Sequence, residues 1–324
     1  MSADWRPRAS LATLRARARM LAGIRAFFAA RGVLEVETPQ LSAAATSDPA
    51  LHSLATRWPG PDGPPRYLHT SPEFPMKRLL AAGSGDIWQL ARVFRDGERG
   101  RQHHPEFTLL EWYRVGWDHR RLLDEVAELV GALLDGQPLA APEKLAYRDA
   151  FLRHAGVDPF AGDAEPLRRA VAAHGIDAGP PPAAADLDYW RDLLLTHAVE
   201  PHLGRGRLTF LYDYPASQAA LARVRPGDPP LAERFELYWQ GVELANGFRE
   251  LTDAAEQRRR CEQANAARRR HGLAEMPLDT RFLAALEAGL PESAGVALGV
   301  DRLLMLALGL ESIDAVLAFP VERA

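Results

Sequence analysis

Arg95 and Glu98 stand in the charged stretch Val93-Phe94-Arg95-Asp96-Gly97-Glu98, which a polar, turn-rich segment joins to Glu106-Phe107-Thr108-Leu109-Leu110-Glu111-Trp112-Tyr113-Arg114. An arginine in a loop between two strands suits a phosphate group, whose oxygens match its fixed fork of donors. In the second segment, the strand period of two puts Phe107, Leu109, Glu111 and Tyr113 on one face. A glutamate and a tyrosine on an apolar face suit an ammonium group. The same pattern also fits an arginine paired with a carboxylate beside an ordinary amphipathic strand.

A second group lies in Arg234-Phe235-Glu236-Leu237-Tyr238-Trp239-Gln240-Gly241-Val242-Glu243. With Gln240-Gly241 as a two-residue hairpin turn, Tyr238 faces Glu243 and Glu236 lies diagonally, roughly 7–8 Å away. Two carboxylates so placed attract a hard cation such as Mg²⁺, held jointly with substrate phosphates; two solvated strand glutamates would show the same spacing. Asn246, Phe248 and Glu250 have the other parity. For Glu236, Glu243 and these three to share a face, the strand needs a bulge near Ala245-Asn246-Gly247. A third group is Ser293-Ala294-Gly295-Val296-Ala297-Leu298-Gly299-Val300-Asp301-Arg302. Here a glycine-flanked strand enters a helix, and Arg302 adds charge where helix N–H groups already favour phosphate. A tight turn with a surface arginine is the plainer alternative.

The elements that position these groups follow from periodicity and breakers. Leu14, Leu21, Ile24 and Phe28 predict a helix over 11–31, stopped by Gly32. Strands are predicted over 33–37, 67–70, 87–94 and 106–114, with a loop at 58–65 and a short helix over 75–82. A helix follows over 119–134. Residues 135–230 are broken by Asp158-Pro159 and Gly179-Pro180-Pro181-Pro182, and are expected to form a peripheral, mostly helical insertion. Strands return at 235–239 and 242–248. A polar helix from the Asp253/Glu256 capping box to His271-Gly272 comes next, then strand 296–299 and helix 300–308. Helices around consecutive hairpins make this an α+β domain on an antiparallel sheet.

With 324 residues, 47% hydrophobic and 25% charged, the chain has an ordinary globular composition. No apolar run is long enough to span a membrane, and the start has no signal-peptide character. One cysteine, Cys261, excludes an internal disulfide framework or a multi-cysteine zinc site. A cytoplasmic location is expected. The net charge of −4 argues against general electrostatic binding of nucleic acid. Positive charge is almost all arginine, with Lys77 and Lys144 the only lysines.

Taken in order, these segments resemble the three signature motifs of class II aminoacyl-tRNA synthetases: residues 32–39, 95–114 and 295–309. The likeness is finer to the lysyl branch, through Thr70-Ser71-Pro72-Glu73, Glu111-Trp112-Tyr113 and Glu243-Leu244-Ala245-Asn246-Gly247-Phe248-Arg249-Glu250-Leu251. It covers nearly the whole chain outside 135–230, as one catalytic domain over 1–324. The first helix begins near residue 11, so no N-terminal anticodon-binding barrel is expected. That truncated form is similar to the elongation factor P–(R)-β-lysine ligases. The resemblance implies ATP-dependent activation of (R)-β-lysine or lysine as an acyl-adenylate, and transfer to a lysine side chain of elongation factor P. It also implies a homodimer through residues 11–39, and no stable tRNA binding.

The roles implied by the resemblance are these. Arg95 contacts the α-phosphate, with Glu98 beside it, and Arg302 the γ-phosphate. Glu236 and Glu243 hold Mg²⁺, and Phe107 stacks on adenine. Leu244 and Gly299 line the ATP site. Ser71, Glu73 and Glu111 receive one substrate amine, and Tyr113, Asn246, Phe248 and Glu250 surround the other. Two positions depart from the family pattern. Gly97 stands where the second motif carries glutamate, so either Glu98 substitutes or an adenine contact is lost. Ala297 stands where lysyl-tRNA synthetases carry glycine, and its methyl group would favour an isomer of lysine.

His103 and His104, being adjacent, fit a loop pair better than a metal site. Cys261 beside Arg258, Arg259 and Arg260 fits an incidental helix position, and the arginines of 257–270 a solvated face. Two other functions compete: a minimal synthetase charging tRNA, and a non-catalytic regulatory paralog. Retention of Arg95, Glu236, Glu243 and Arg302 argues against the second.

Overall fold

Ser10 starts the first helix, α1 (Leu11–Ala29), by accepting a hydrogen bond from the Thr13 amide at 3.0 Å. That satisfies one of the donors a helix start leaves open. Buried Met20, Ile24, Phe27 and Phe28 lie on one face, and Gly32, at φ 65°, turns the chain out of the helix. The structure is a computed structural model that describes residues 5–134, 136–177, 179 and 186–324. Pro180-Pro181-Pro182, expected as a break, lie outside the described residues. The chain divides into two units. One is built from residues up to Trp117 with 129–134 and 252–324, the other from 118–128 and 135–251.

The first unit opens with α1 and β1 (Leu34–Glu35). A small sheet of β2 (Leu41–Ser42), β3 (Ala55–Arg57) and β4 (Pro65–Leu68) follows, then α2 (Glu73–Ala81), β5 (Ile87–Phe94) and β6 (Glu106–Val115). Helix α3 (His119–Leu133) comes next. The second unit continues with β7 (Ala140–Ala146), α4 (Tyr147–His154), α5 (Glu165–Ala173) and α6 (Leu187–Leu194). It then runs through β8 (Arg207–Pro215), β9 (Val224–Arg225), β10 (Leu231–Trp239) and β11 (Val242–Arg249). The chain closes in the first unit with α7 (Ala254–Arg270), α8 (Thr280–Gly289), β12 (Ser293–Gly299) and α9 (Val300–Ala307).

In the first unit β1, β5, β6 and β12 lie side by side; in the second, β11, β10, β8 and β7, with β9 beside β10. The fold is α+β. Its strand pairs are mostly antiparallel, but β1 runs parallel to β5 and β7 parallel to β8. The sheet expected as antiparallel is so in most of its pairs, and these two parallel pairs make it mixed. Each parallel pair is separated in sequence by a long connection containing helix, which is what parallel pairing requires. Segment 135–230, expected as mostly helical, also supplies β7 and β8. Aromatic and β-branched residues mark β8 as a strand. By contrast β7 buries only Leu145, so its pairing with β8, and no local pattern, makes it a strand.

Strands β5 and β6 are buried on both faces. One face carries Trp88 and Trp112, and Phe28 of α1 packs against both, with ring centroids 4.9 and 5.4 Å away. Truncating such a wedge to alanine costs about 3–5 kcal/mol. The other face presents Gln89, Phe107, Glu111 and Tyr113. Helix α1 therefore fixes the plane on which the candidate site is built.

Candidate active site

On the site face of the first unit, Gln89 of β5, Glu111 of β6 and Ala297 of β12 are consecutive cross-strand neighbours. Glu111 is 2% exposed. Its carboxylate accepts hydrogen bonds from Ser71 Oγ and Tyr113 Oη, each at 2.6 Å. Ser71 in turn accepts from the Glu73 amide at 3.0 Å, which sets the turn entering α2. Burial, and then the charge of Glu73, raise the Glu111 pKa to about 7. Ser71, Glu73, Glu111 and Tyr113 thus form one cluster. Tyr113, expected beside the other substrate amine, donates its hydroxyl to Glu111 here. The sequence reading missed Lys77, which is 1% exposed and places its ammonium 2.5 Å from Glu73. Its i,i+4 spacing from Glu73 was the available signal.

Further along this face, the Arg95 guanidinium lies 5.0 Å from the centroid of the Phe107 ring and 3.4 Å from Glu98. Gly97 sits at φ 78°, a left-handed turn that glutamate would enter only with strain. Glu98, one place later, is the carboxylate that reaches Arg95. Gly299 pairs opposite Leu109, and Gly295 opposite Tyr113, so between these two glycines only the Ala297 methyl group projects from β12 on this side.

At the start of α9, Arg302 donates to the Gln102 carbonyl at 3.1 Å and to His103 Nε2 at 2.7 Å. Burial, and next the neighbouring Arg302, lower the His103 pKa, which suits it to accept that bond as a neutral ring. His104 is occupied elsewhere, bonding the Glu106 carbonyl at 2.6 Å and the Val321 amide at 2.9 Å. Asp301, 1% exposed, accepts from Arg17 at 2.5 Å and from the Thr108 amide at 2.6 Å. These bonds lock α9 to β6 and α1. The sequence reading left His103 as one of a loop pair and gave Asp301 no role, because both act only through distant partners.

In the second unit, Gln240 and Gly241 adopt φ 53° and 75°, the positive pair of a type I′ hairpin turn. Tyr238 pairs opposite Glu243, as the turn requires. Leu237 then pairs with Ala245, which leaves Leu244 as an extra residue. The required bulge is present, at Leu244 and one residue earlier than the expected stretch. It switches parity, so Glu236 pairs with Asn246 and Arg234 with Phe248. Glu236, Glu243, Asn246 and Phe248 consequently share one face. The Leu244 side chain is 2% exposed, leaving only its main chain for a ligand. Glu250 is buried and pairs across from Ala222.

Glu236 is not the solvated strand glutamate of the plainer reading. It is 7% exposed, and accepts hydrogen bonds from Tyr214 and Tyr238, each at 2.6 Å, and from Arg234 at 2.5 Å. Burial, and then the charge of Glu236, raise the pKa values of both tyrosines, so they stay protonated donors. Arg234 also donates to Asn246 Oδ1 at 3.1 Å and to the Gln218 carbonyl at 2.8 Å. A carboxylate offers about four lone-pair sites, so Glu236 retains one direction for a cation. Glu243 is partly exposed on the same face. The pair fits a Mg²⁺ ion that takes one or two carboxylates and completes its shell with phosphate and water.

Two halves thus carry an amine-type cluster with a phosphate-type arginine, and a paired-carboxylate hairpin. The family profile described as tRNA synthetases class II (D, K and N) matches residues 2–323. The chain belongs to that family. Among its relatives, the elongation factor P–(R)-β-lysine ligase of Proteus mirabilis (strain HI4320) is 54% identical over 329 residues, covering 99% of both chains. Those named likewise from Klebsiella pneumoniae (strain 342) and Salmonella typhi are 52% identical over 326 residues, covering 100% of this chain and 99% of theirs. In this class II synthetase, no helix among the described residues is long and apolar enough to cross a membrane.

Proposed function

We propose that this class II synthetase activates (R)-β-lysine with ATP and transfers it to a lysine side chain of elongation factor P. The full-length likeness to ligases of that name supports the substrate and partner. The observation that carries the chemistry is the buried Glu111 carboxylate, bonded by Ser71 and Tyr113 beside the Glu73–Lys77 pair. Such a cluster holds a substrate ammonium by charge and directed hydrogen bonds.

In the first step a carboxylate oxygen of β-lysine attacks the α-phosphorus of ATP, and the bond to pyrophosphate breaks. Arg95 binds the α-phosphate, and Arg302, held by His103, binds the γ-phosphate. Phe107 stacks on adenine, while Glu98 and the main chain at Leu244 and Gly299 line the nucleotide. Asn246, Phe248 and Glu250 bound the substrate. In the second step the acceptor amine, having lost its proton, attacks the acyl carbon and AMP leaves. Mg²⁺ at Glu236 and Glu243 would neutralise phosphate charge when bound. Most of the acceleration comes from orientation and preorganised charge. The protein acts in the cytoplasm as a homodimer, without stable tRNA binding.

The test is intact mass of elongation factor P after incubation with enzyme, ATP and (R)-β-lysine. One added β-lysyl group, dependent on both small molecules, is expected. An unmodified partner, with total tRNA charged instead, would overturn the reading.

A further inference from the structure

Lys77 is one of only two lysines in a chain whose Lys and Arg residues number thirty-nine. The other, Lys144, forms an exposed pair with Asp124. Lys77 instead lies on the inward side of α2, 1% exposed, with its ammonium 2.5 Å from Glu73 Oε1 and 5.9 Å from the Phe282 ring centroid of α8. A buried charge survives only when paired. A compact ammonium fits there in place of the broad guanidinium used almost everywhere else.

The location gives the pair a consequence beyond folding. Glu73 and Glu111 share Ser71, which donates to the Glu111 carboxylate and accepts from the Glu73 amide. The titratable groups around Glu111 are Glu73 and Lys77 from α2 and Tyr113 from its own strand. Its neighbours across β5 and β12 are Gln89 and Ala297, which do not titrate. With Lys77 charged and both glutamates ionised, the cluster carries one net negative charge. That matches a single substrate ammonium.

We propose that Lys77 is a positioning residue that holds Glu73 and sets the charge of this pocket to accept one ammonium group. The inference rests on the proposed amine-binding role of Glu73 and Glu111. Without Lys77, two carboxylates would face each other, and Glu111 would keep its proton to higher pH. Glutamine at 73 would leave Lys77 to cancel Glu111, so an incoming ammonium would meet no net attraction. Neutralising both positions would restore the single negative charge.

The experiment is ATP–pyrophosphate exchange with (R)-β-lysine from pH 5.5 to 9, on the full chain and on Lys77→Met, Glu73→Gln and the double variant. In the wild type, kcat/KM for β-lysine is expected to fall as pH drops through about 7, where Glu111 protonates. In Lys77→Met that limb moves up by about one pH unit, whereas Lys77→Arg leaves it in place. In Glu73→Gln the KM for β-lysine rises about tenfold or more, and the double variant recovers several-fold of that loss. The double variant removes the buried charge together with its partner, so it keeps the test decisive if Lys77→Met does not fold. An unmoved limb in folded Lys77→Met, or a double variant no better than Glu73→Gln, would overturn the inference. A wild type without β-lysine-dependent exchange would instead overturn the underlying function and this inference with it.

Discussion

Ala297 stands directly across from Glu111 on adjacent antiparallel strands, so its methyl group and the buried carboxylate share one face. Cross-strand partners have Cβ atoms about 4.5–5.5 Å apart. Gly295 and Gly299 flank this methyl group on the same side of β12 and add no bulk. The floor beside the amine cluster therefore has one step in it, and Ala297 makes that step.

Ala297→Gly removes it. Activation of α-lysine is expected to improve relative to β-lysine, by the ~1–3 kcal/mol that shape differences of one carbon provide. The ratio of kcat/KM values for the two isomers in pyrophosphate exchange measures this. An unchanged ratio in a folded variant removes Ala297 from the account of specificity.

The two hairpin carboxylates should behave differently when removed. Glu243→Ala is expected to abolish Mg²⁺-dependent exchange while melting normally. Glu236→Ala should lose the same activity and also stability, because Arg234, Tyr214 and Tyr238 lose a shared acceptor. Each unsatisfied buried group costs about 1–3 kcal/mol, so the melting temperature should fall clearly. Equal melting of the two variants would contradict the buried position of Glu236.

Glu111 also links stability to pH. Its pKa is about 7 when folded against an ordinary 4.5, so the folded state binds the extra proton between those values. Stability therefore falls as pH rises from about 4.5 to 7, by about 3 kcal/mol in total, and is level above that window. Glu111→Gln should abolish activity yet melt higher than wild type at pH 8, with the gap closing toward pH 5. Parallel melting curves across that range would count against the raised pKa.

Leu34 is 53% exposed on the short strand β1, and Leu11 is 67% exposed at the start of α1. Both belong to the segment proposed as the dimer interface. Leu34→Asp should convert a dimer to a monomer by light scattering at micromolar concentration. A monomeric wild type would remove the dimer proposal.

The strand β5, the hairpin of β10 and β11 and the shared face of Glu111 and Tyr113 were legible in the residues. Alternation, turn chemistry and a glycine stop operate over a few neighbours, so the chain states them locally. A bulge near Ala245-Asn246-Gly247 was also implied by parity, although its position at Leu244 was not. The location of a bulge depends on which residues the partner strand buries, and Leu244 and Ala245 are both buried here. Strand β7 had no local signature because its partner β8 lies more than sixty residues away. The burial of Glu236 in its cage, the burial of Lys77 and the Arg302–His103 bond were decided only by tertiary structure, although the i,i+4 spacing of Lys77 and Glu73 was visible in the sequence. Each depends on desolvation or on contact with groups outside its own element. The sequence alone thus determined the class of chemistry and the strands that carry it; packing decided which carboxylates are buried, neutralised or left to meet a ligand.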